Sequence, residues 1–580
     1  MKSLRKSFTQ KRTKNSQRTN WFAILAFILA LGAMFASCEL QGDNLIDNPI
    51  RIPVDNPTDD IIIPDGSISI SSSVEMAKIG IDEDYPLNGA YHLTQNITLS
   101  NWTPIGNGTS PFTGKFDGNG KTISLNSINL GDNSANTFLG IFGYVKGASD
   151  SNKAEIKNMS ISSALDATST STANGHSIGL AAGYLETAVI DKITLSGNLK
   201  FYSERTVFAG GAAGYITGSG TLVKNVNSTL NMTINPGSGG TAPVSGYDYI
   251  GGIVGRFNNG AGIENCHNKG NVIADNMNNT ASGQVFAGGV TGGSTYAMNA
   301  TYHGYVIDSS STGNVTGKCK GMWTFAGGIA ATIVGGTVND KNATTRIERC
   351  FATGTVSVEG TNSGNPYIGG IVGYNYFGAL VSQSYFNGTV IAAKSGDYTG
   401  GIAGYNSQTA APGNSRIEDC WSAGTIKGFN NAGGIVGQNQ VNTFVRRCYS
   451  TMIVQTTNNS NSGVGGITGL HSSTNADAVT SCVALNPSIT AGGGNNVQRV
   501  TQNGTGVRSN NYALASLVPT TSGTYTERKG LTESDGADIP SNYLSGNKPT
   551  QTFYQSVLNW DFANVWKMGS NGYPKLKWQN

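Results

Sequence analysis

A pentapeptide close to Gly-Gly-Ile-x-Gly recurs ten times in this chain, and no other feature narrows its folding options so far. Its third position is Ile141, Ala181, Ala212, Ile253, Val290, Ile329, Ile371, Ile402, Ile435 and Ile467, with successive copies 31 to 42 residues apart. The fifth position is Gly143, Gly183, Gly214, Gly255, Gly292, Gly373, Gly404, Gly437 and Gly469, and only Ala331 departs from glycine. A period of this length is that of a solenoid, in which each repeat supplies one coil and buries its face on the next. A small or β-branched residue between glycines suits an inward strand corner that a neighbouring layer approaches closely.

A second column follows ten to nineteen residues after each closing position, in segments such as "IENCHNKGNV", "IERCFATGTV" and "IEDCWSAGTI". Its members are Met159, Ile193, Val226, Cys266, Ser309, Cys350, Ser384, Cys420, Cys448 and Cys482. Small or apolar residues at one site of every repeat describe an internal stack. The expected fold is all-β: a parallel β-helix of about ten coils, right-handed by the crossover rule, with caps over both ends because open ends expose unpaired strand edges.

Composition agrees. Glycine contributes 79 of 580 residues, about twice the usual ~7%, and charged residues are 13%, roughly half the usual ~25%. A chain with so few charges solvates itself through Asn, Ser, Thr and backbone in many turns. Its 38% hydrophobic content is too high for simple disorder.

Residues 1–37 are expected to be a lipoprotein signal peptide. Seven cations, from Lys2 to Arg18, precede an apolar run from Trp21 to Phe35 and the sequence "FASC". That run is shorter than the roughly 20 residues a membrane-spanning helix needs. Cys38 becomes the lipidated first residue of the mature chain, and residues 38–70, rich in Pro, Asp and Asn, form a tether. Removing the signal leaves 31 cations against 35 anions, so no nucleic-acid partner is expected.

Residues 71–138 are expected to be an N-terminal cap with first strands, beginning with a short helix in "SSSVEMAKIG" capped by Ser72 or Ser73 and ended by Gly80. Residues 139–500 hold the repeats. Residues 501–580 form a C-terminal segment and cap, in which three of the seven tryptophans lie within "NWDFANVWKMGSNGYPKLKWQN" and are expected to plug the open end.

The stretches "WTPIG", "FTGKFDGNGKTI" and "LGIFG", followed by the repeats, resemble GLUG-motif proteins, a family of bacterial surface proteins, over roughly residues 70–580. The resemblance implies an adhesin-like surface protein. It does not imply a chemistry.

Enzyme signatures for metalloproteases, serine hydrolases and nucleotide-binding enzymes are missing from any usable context. Six cysteines follow Cys38 without a CxxC pair, five of them in the internal column, and the five histidines are scattered; neither a metal nor a cofactor is expected. The carboxylates nearest to a glycan-cleaving arrangement are Glu264, Asp308, Glu348, Glu418 and Asp419, one or two residues before the column.

Two features point toward binding. Phe351, Tyr385, Trp421 and Tyr449 follow the column in four consecutive coils as an aromatic ladder, open either to sugar stacking or to a structural corner. Long loops at 293–308 and 332–349 lie in adjacent coils, the first carrying Tyr296, Tyr302, His303 and Tyr305. The resulting expectation is a lipid-anchored outer-membrane protein, exposed at the cell surface, that binds a glycan or a host protein. A polysaccharide lyase or hydrolase and a purely structural spacer are the alternatives.

Overall fold

In the computed structural model, the described residues run from 66 to 579. Excepted are 172–173, 237–246, 278–282, 295–302, 321–322, 337–343, 361–363, 393–396, 409–412, 459–462, 495 and 503. The signal peptide, Cys38, most of the tether, Tyr296 and Tyr302 therefore fall outside them.

Each repeat folds into one coil of a parallel β-helix. Its first strand, such as Tyr367–Gly369, belongs to an 11-stranded sheet, and its second, such as Val372–Tyr376, to a 10-stranded sheet. The third side lies in a 31-stranded sheet and is bent into two legs, for example Leu380–Ser382 and Tyr385–Ala392. All strand pairings between coils are parallel and in register among the described residues, as in Tyr367↔Tyr398 and Val372↔Ala403. In-register pairing explains why residue types repeat. Each position stacks on its equivalent in the next coil, about 4.8 Å away.

The third residue of every pentapeptide is fully buried in the core. The glycines around it are needed for space, and each for a different neighbour. A side chain on the first, Gly251 or Gly400, would run into the carbonyl oxygen three residues later, at Val254 or Ala403, inside the same bend. On the second it would meet the next coil and the opposite wall: from Gly370, the carbonyl of Gly401 and the ring of Phe386. On the closing glycine it would strike the first strand of the preceding coil, as at Gly437 against the backbone N of Thr399. The two short strands thus fold toward each other on the outside, making a concave corner along the coil axis.

The bend between the two legs is also written in the sequence. The residue before the internal column adopts a left-handed conformation in eleven successive rungs: Asn158, Lys192, Asn225, Asn265, Asp308, Arg349, Gln383, Asp419, Arg447, Ser481 and Asn510, with φ between 45° and 63°. Asn and Asp tolerate this region better than other side chains. At the bend, the carbonyl two residues before the column accepts twice, from a ladder N–H of the preceding coil, as Ile307 O does from Asn265 N at 3.1 Å and Ser382 O from Arg349 N at 3.3 Å, and from the column side chain. Ser309 and Ser384 donate Oγ–H to Ile307 and Ser382 at 2.8 Å, while Cys266 and Cys420 donate Sγ–H to Glu264 and Glu418 at 3.2 Å. Cys and Ser interchange here because both are short donors. The six cysteines among the described residues are buried thiols, and burial pushes Cys266 and Cys350 up to about 12.

Both ends extend beyond the repeats. Ile68–Ile70, Ala90–Leu93 and Lys115–Asp117 continue the large sheet ahead of the first repeat. The helix spans only Ser73–Met76; Ser72 Oγ caps it by accepting from Glu75 N at 3.2 Å, and Gly80 follows with φ of 82°. At the far end, fully buried Arg499 donates Nη1–H to Asp538 at 2.6 Å and Nη2–H to the Gly536 carbonyl at 3.0 Å. This arginine cluster lies where the tryptophan plug was expected. The tryptophans instead lie along the side of the coils, because their partners belong to earlier repeats: Trp560 Nε1–H donates to Ser481 O, Trp566 to Asp419 Oδ1 and Trp578 to Gln383 O.

Candidate functional site

The ladder read from the sequence forms as a stack. Ring centroids are 5.1 Å apart for Phe351–Tyr385, 4.5 Å for Tyr385–Trp421 and 5.9 Å for Trp421–Tyr449, with planes within 11°. The C-terminal segment covers most of it. Tyr449 is only 3% exposed, donates its hydroxyl to the Pro574 carbonyl at 2.6 Å and faces Trp560, Trp566 and Tyr573. Trp578 packs on Tyr385 at 5.8 Å. Tyr449 is therefore closed to a ligand, while Phe351, Tyr385 and Trp421 remain half-buried.

The carboxylates are brought onto adjoining columns. Glu264, Glu348 and Glu418 share one outward column with Ile307, Ser382 and Arg446, and Asp308 and Asp419 occupy the left-handed bend. Arginines engage four of them. Arg349 grips Asp308 in a fork at 2.7 and 2.9 Å and reaches Glu348 at 3.1 Å; Arg447 grips Asp419 at 2.8 and 2.9 Å and reaches Glu418 at 3.4 Å. These forks tie one coil to the next.

Tyr305, expected on the long loop, begins the strand Tyr305–Ile307. Its hydroxyl donates to Glu264 Oε1 at 2.8 Å, and the Arg346 guanidinium lies 5.1 Å over its ring. Burial and then Glu264 push this phenol up to about 12. His303 precedes it, half-buried. The structure thus places Tyr305 in a polar cluster of the sheet rather than on a loop surface.

A second and longer aromatic array, which the sequence reading missed, lines the concave corner. Two residues before the first glycine stand Phe208, Tyr249, Phe286, Phe325, Tyr367 and Tyr398, in register across six coils. From Tyr249 to Tyr398 the rings stack at 4.3, 4.5, 5.1 and 5.5 Å with planes within 14°. Directly after the closing glycine stand Tyr144, Tyr184, Tyr215, Tyr374 and Tyr405 on the facing strand. The corner brings the two columns together: Phe208 lies 5.6 Å from Tyr215, Tyr367 5.5 Å from Tyr374 and Tyr398 5.2 Å from Tyr405. Arg256 takes the tyrosine position in one coil and lies 4.9 to 5.3 Å over the rings of Phe208, Tyr249 and Tyr215. The signal was available in the sequence, as an aromatic residue at a fixed offset on each side of the glycines.

Next to two ladder tyrosines in sequence, on the opposite face of the strand, are two buried carboxyls. Asp248 accepts Val207 N–H at 2.8 Å, and burial pushes it up to about 8. Asp397 accepts from Phe429 N and Thr399 Oγ1, both at 2.8 Å, and burial pushes it up to about 6. Among the described residues no group of three or more His, Cys, Asp or Glu is placed to hold a metal ion.

Comparison with known proteins gives a motif and a distant structural likeness. Residues 364–391 match the GLUG motif, a stretch that covers one coil from the strand Tyr367–Gly369 to Tyr385–Ala392. No curated protein matches the chain. One solved structure, described as a "putative immunoglobulin A1 protease from Bacteroides ovatus", aligns at 16% identity over 89% of this chain and 93% of that one, with a TM-score of 0.23. A score that low says nothing of activity.

Proposed function

We propose that this GLUG-motif β-helix is a lipid-anchored protein of the bacterial outer surface that binds glycan or host-surface ligands without cleaving them. The observation that carries the reading is the accessible part of the corner array on a rigid scaffold: Phe208, Tyr367, Tyr398 and Tyr405 are half-buried, and Tyr247 and Trp323 stand exposed beside the buried rings of Tyr249, Phe286 and Phe325. Rings held by stacking lose little freedom on binding, and a repeated surface adds modest contacts in series. The engagement of Asp308, Glu348, Glu418 and Asp419 by arginines supports binding over hydrolysis, since a glycan-cleaving pair needs carboxyls free to move protons. Anchoring rests on the "FASC" sequence and Cys38.

A glycan array probed with residues 39–580 tests the reading. Micromolar-range binding with intact ligand recovered is the expected result. Time-dependent release of shortened or unsaturated oligosaccharides, lost on replacing Glu264, Asp308 or Glu348, would establish the enzyme reading instead. Cys38→Ala is expected to abolish acyl labelling in cells, and labelling that persists refutes the anchor.

A further inference from the structure

The corner array has an outer margin with its own pattern. Two residues before Tyr249, Phe286 and Phe325 stand Tyr247, Gln284 and Trp323, in register in three consecutive coils. Tyr247 is 41% exposed and Trp323 37%, and they are the most exposed aromatic side chains among the described residues. The ladder behind them is closed, with Tyr249, Phe286 and Phe325 buried in a stack at 4.3 and 4.5 Å. That stack braces the margin: Tyr247 packs 6.3 Å from Phe286, and Trp323 stands edge-on to Phe325 at 6.5 Å.

Tyr247 and Trp323 are two rungs apart, about 9 to 10 Å. Gln284 lies between them with one acceptor and two donors on its amide. At the same offset, two residues before Phe208 and Tyr367, the chain carries the uncharged Thr206 and Asn365. The strands here pair on both sides, Tyr247–Gly251 with Val207–Gly210 and with Gln284–Gly288, so no free edge invites a peptide strand. Two exposed rings at a fixed spacing with a single amide between them suit a chain of flat units carrying hydroxyl groups.

We infer that Tyr247, Gln284 and Trp323 form a subsite for a linear, uncharged glycan lying along the coil axis. The apolar faces of two alternate sugars stack on the two rings, and hydroxyls of the intervening sugar bond to the Gln284 amide. A sugar unit of an extended chain advances by about one coil, so three consecutive units span the subsite and two do not. This inference rests on the reading of the corner as a binding surface.

The test is calorimetric titration of residues 39–580 with cello- and laminari-oligosaccharides of two to six units. Affinity is expected to rise at least about tenfold between disaccharide and tetrasaccharide and to level off thereafter. Tyr247→Ala and Trp323→Ala are each expected to weaken tetrasaccharide binding by about three- to tenfold, in line with the worth of one ring contact, and to flatten the length dependence. Both residues are exposed, so the variants are expected to melt like the wild type. Tetrasaccharide binding that both variants retain in full overturns the subsite while leaving the binding role intact. An acidic oligosaccharide bound while every neutral one is refused overturns the ligand class and assigns recognition to Arg256. A chain that binds no glycan or host ligand at all overturns the underlying reading as well.

Discussion

The two aromatic ladders share a cause and differ in fate. Phe351–Tyr385–Trp421–Tyr449 and Tyr249–Phe286–Phe325–Tyr367–Tyr398 both arise because parallel, in-register pairing sets equal positions directly above one another, and their rings stack at similar distances. The first is roofed by Trp560, Trp566, Tyr573 and Trp578, which arrive from more than a hundred residues away. The second lies in a concave corner whose margin, at Tyr247 and Trp323, faces solvent. A column of rings is therefore no sign of a ligand by itself. What matters is whether the rest of the chain covers it.

The sharpest way to break this comparison is to remove the roof. Trp566 is fully buried, stacks 4.6 Å from Trp560 and bonds to Asp419. Trp566→Ala is expected to cost about 3 to 5 kcal/mol in denaturant unfolding, and a loss below 1 kcal/mol would mean that the C-terminal segment is not the roof. The more peripheral Trp578→Ala tests the roof at another point, over Tyr385, in a chain that folds.

Gly370→Val strikes the corner instead. Its new side chain meets the Gly401 carbonyl and the Phe386 ring, so it is expected to cost about 3 kcal/mol and to lower the melting temperature. Wild-type melting would mean that the corner has room for a side chain at this glycine.

A pH-dependent effect comes from Asp248. Its folded-state value near 8 lies above the ordinary carboxyl range, so the folded protein holds a proton that the unfolded chain has released. Stability from this group is present below pH 4 and is lost as pH rises from about 4 to about 8. Asp248→Asn is expected to remove that slope in thermal melts, and its amide gains a partner in Asn276 Oδ1, which is buried without one. An unchanged slope would mean that Asp248 is ionised in the folded protein. Smallest of all, Phe351→Ala at the open end of the roofed ladder is expected to cost about 1 kcal/mol, well below Trp566→Ala. Equal costs would erase the distinction between roofed and open positions.

Much of this was legible in the chain. The pentapeptide period specified a coil, the buried third position specified its inside, and the Cys/Ser column marked an internal stack, because in-register pairing turns a sequence period directly into a spatial column. Closely spaced residues were also read correctly, as at the Ser72 cap. Three things were decided only in the folded molecule. The tryptophans fold back along the side, because their partners, Gln383, Asp419 and Ser481, are distant in sequence. The acidic candidates are tied by Arg349 and Arg447, because the left-handed bend brings each arginine over the aspartate of a preceding coil. The outward aromatics converge because the corner is concave, which follows from how closely backbone approaches backbone at the closing glycines. A periodic sequence determines which residues align along the axis; the curvature of the coil and the long-range return of the chain determine which of those columns meet water.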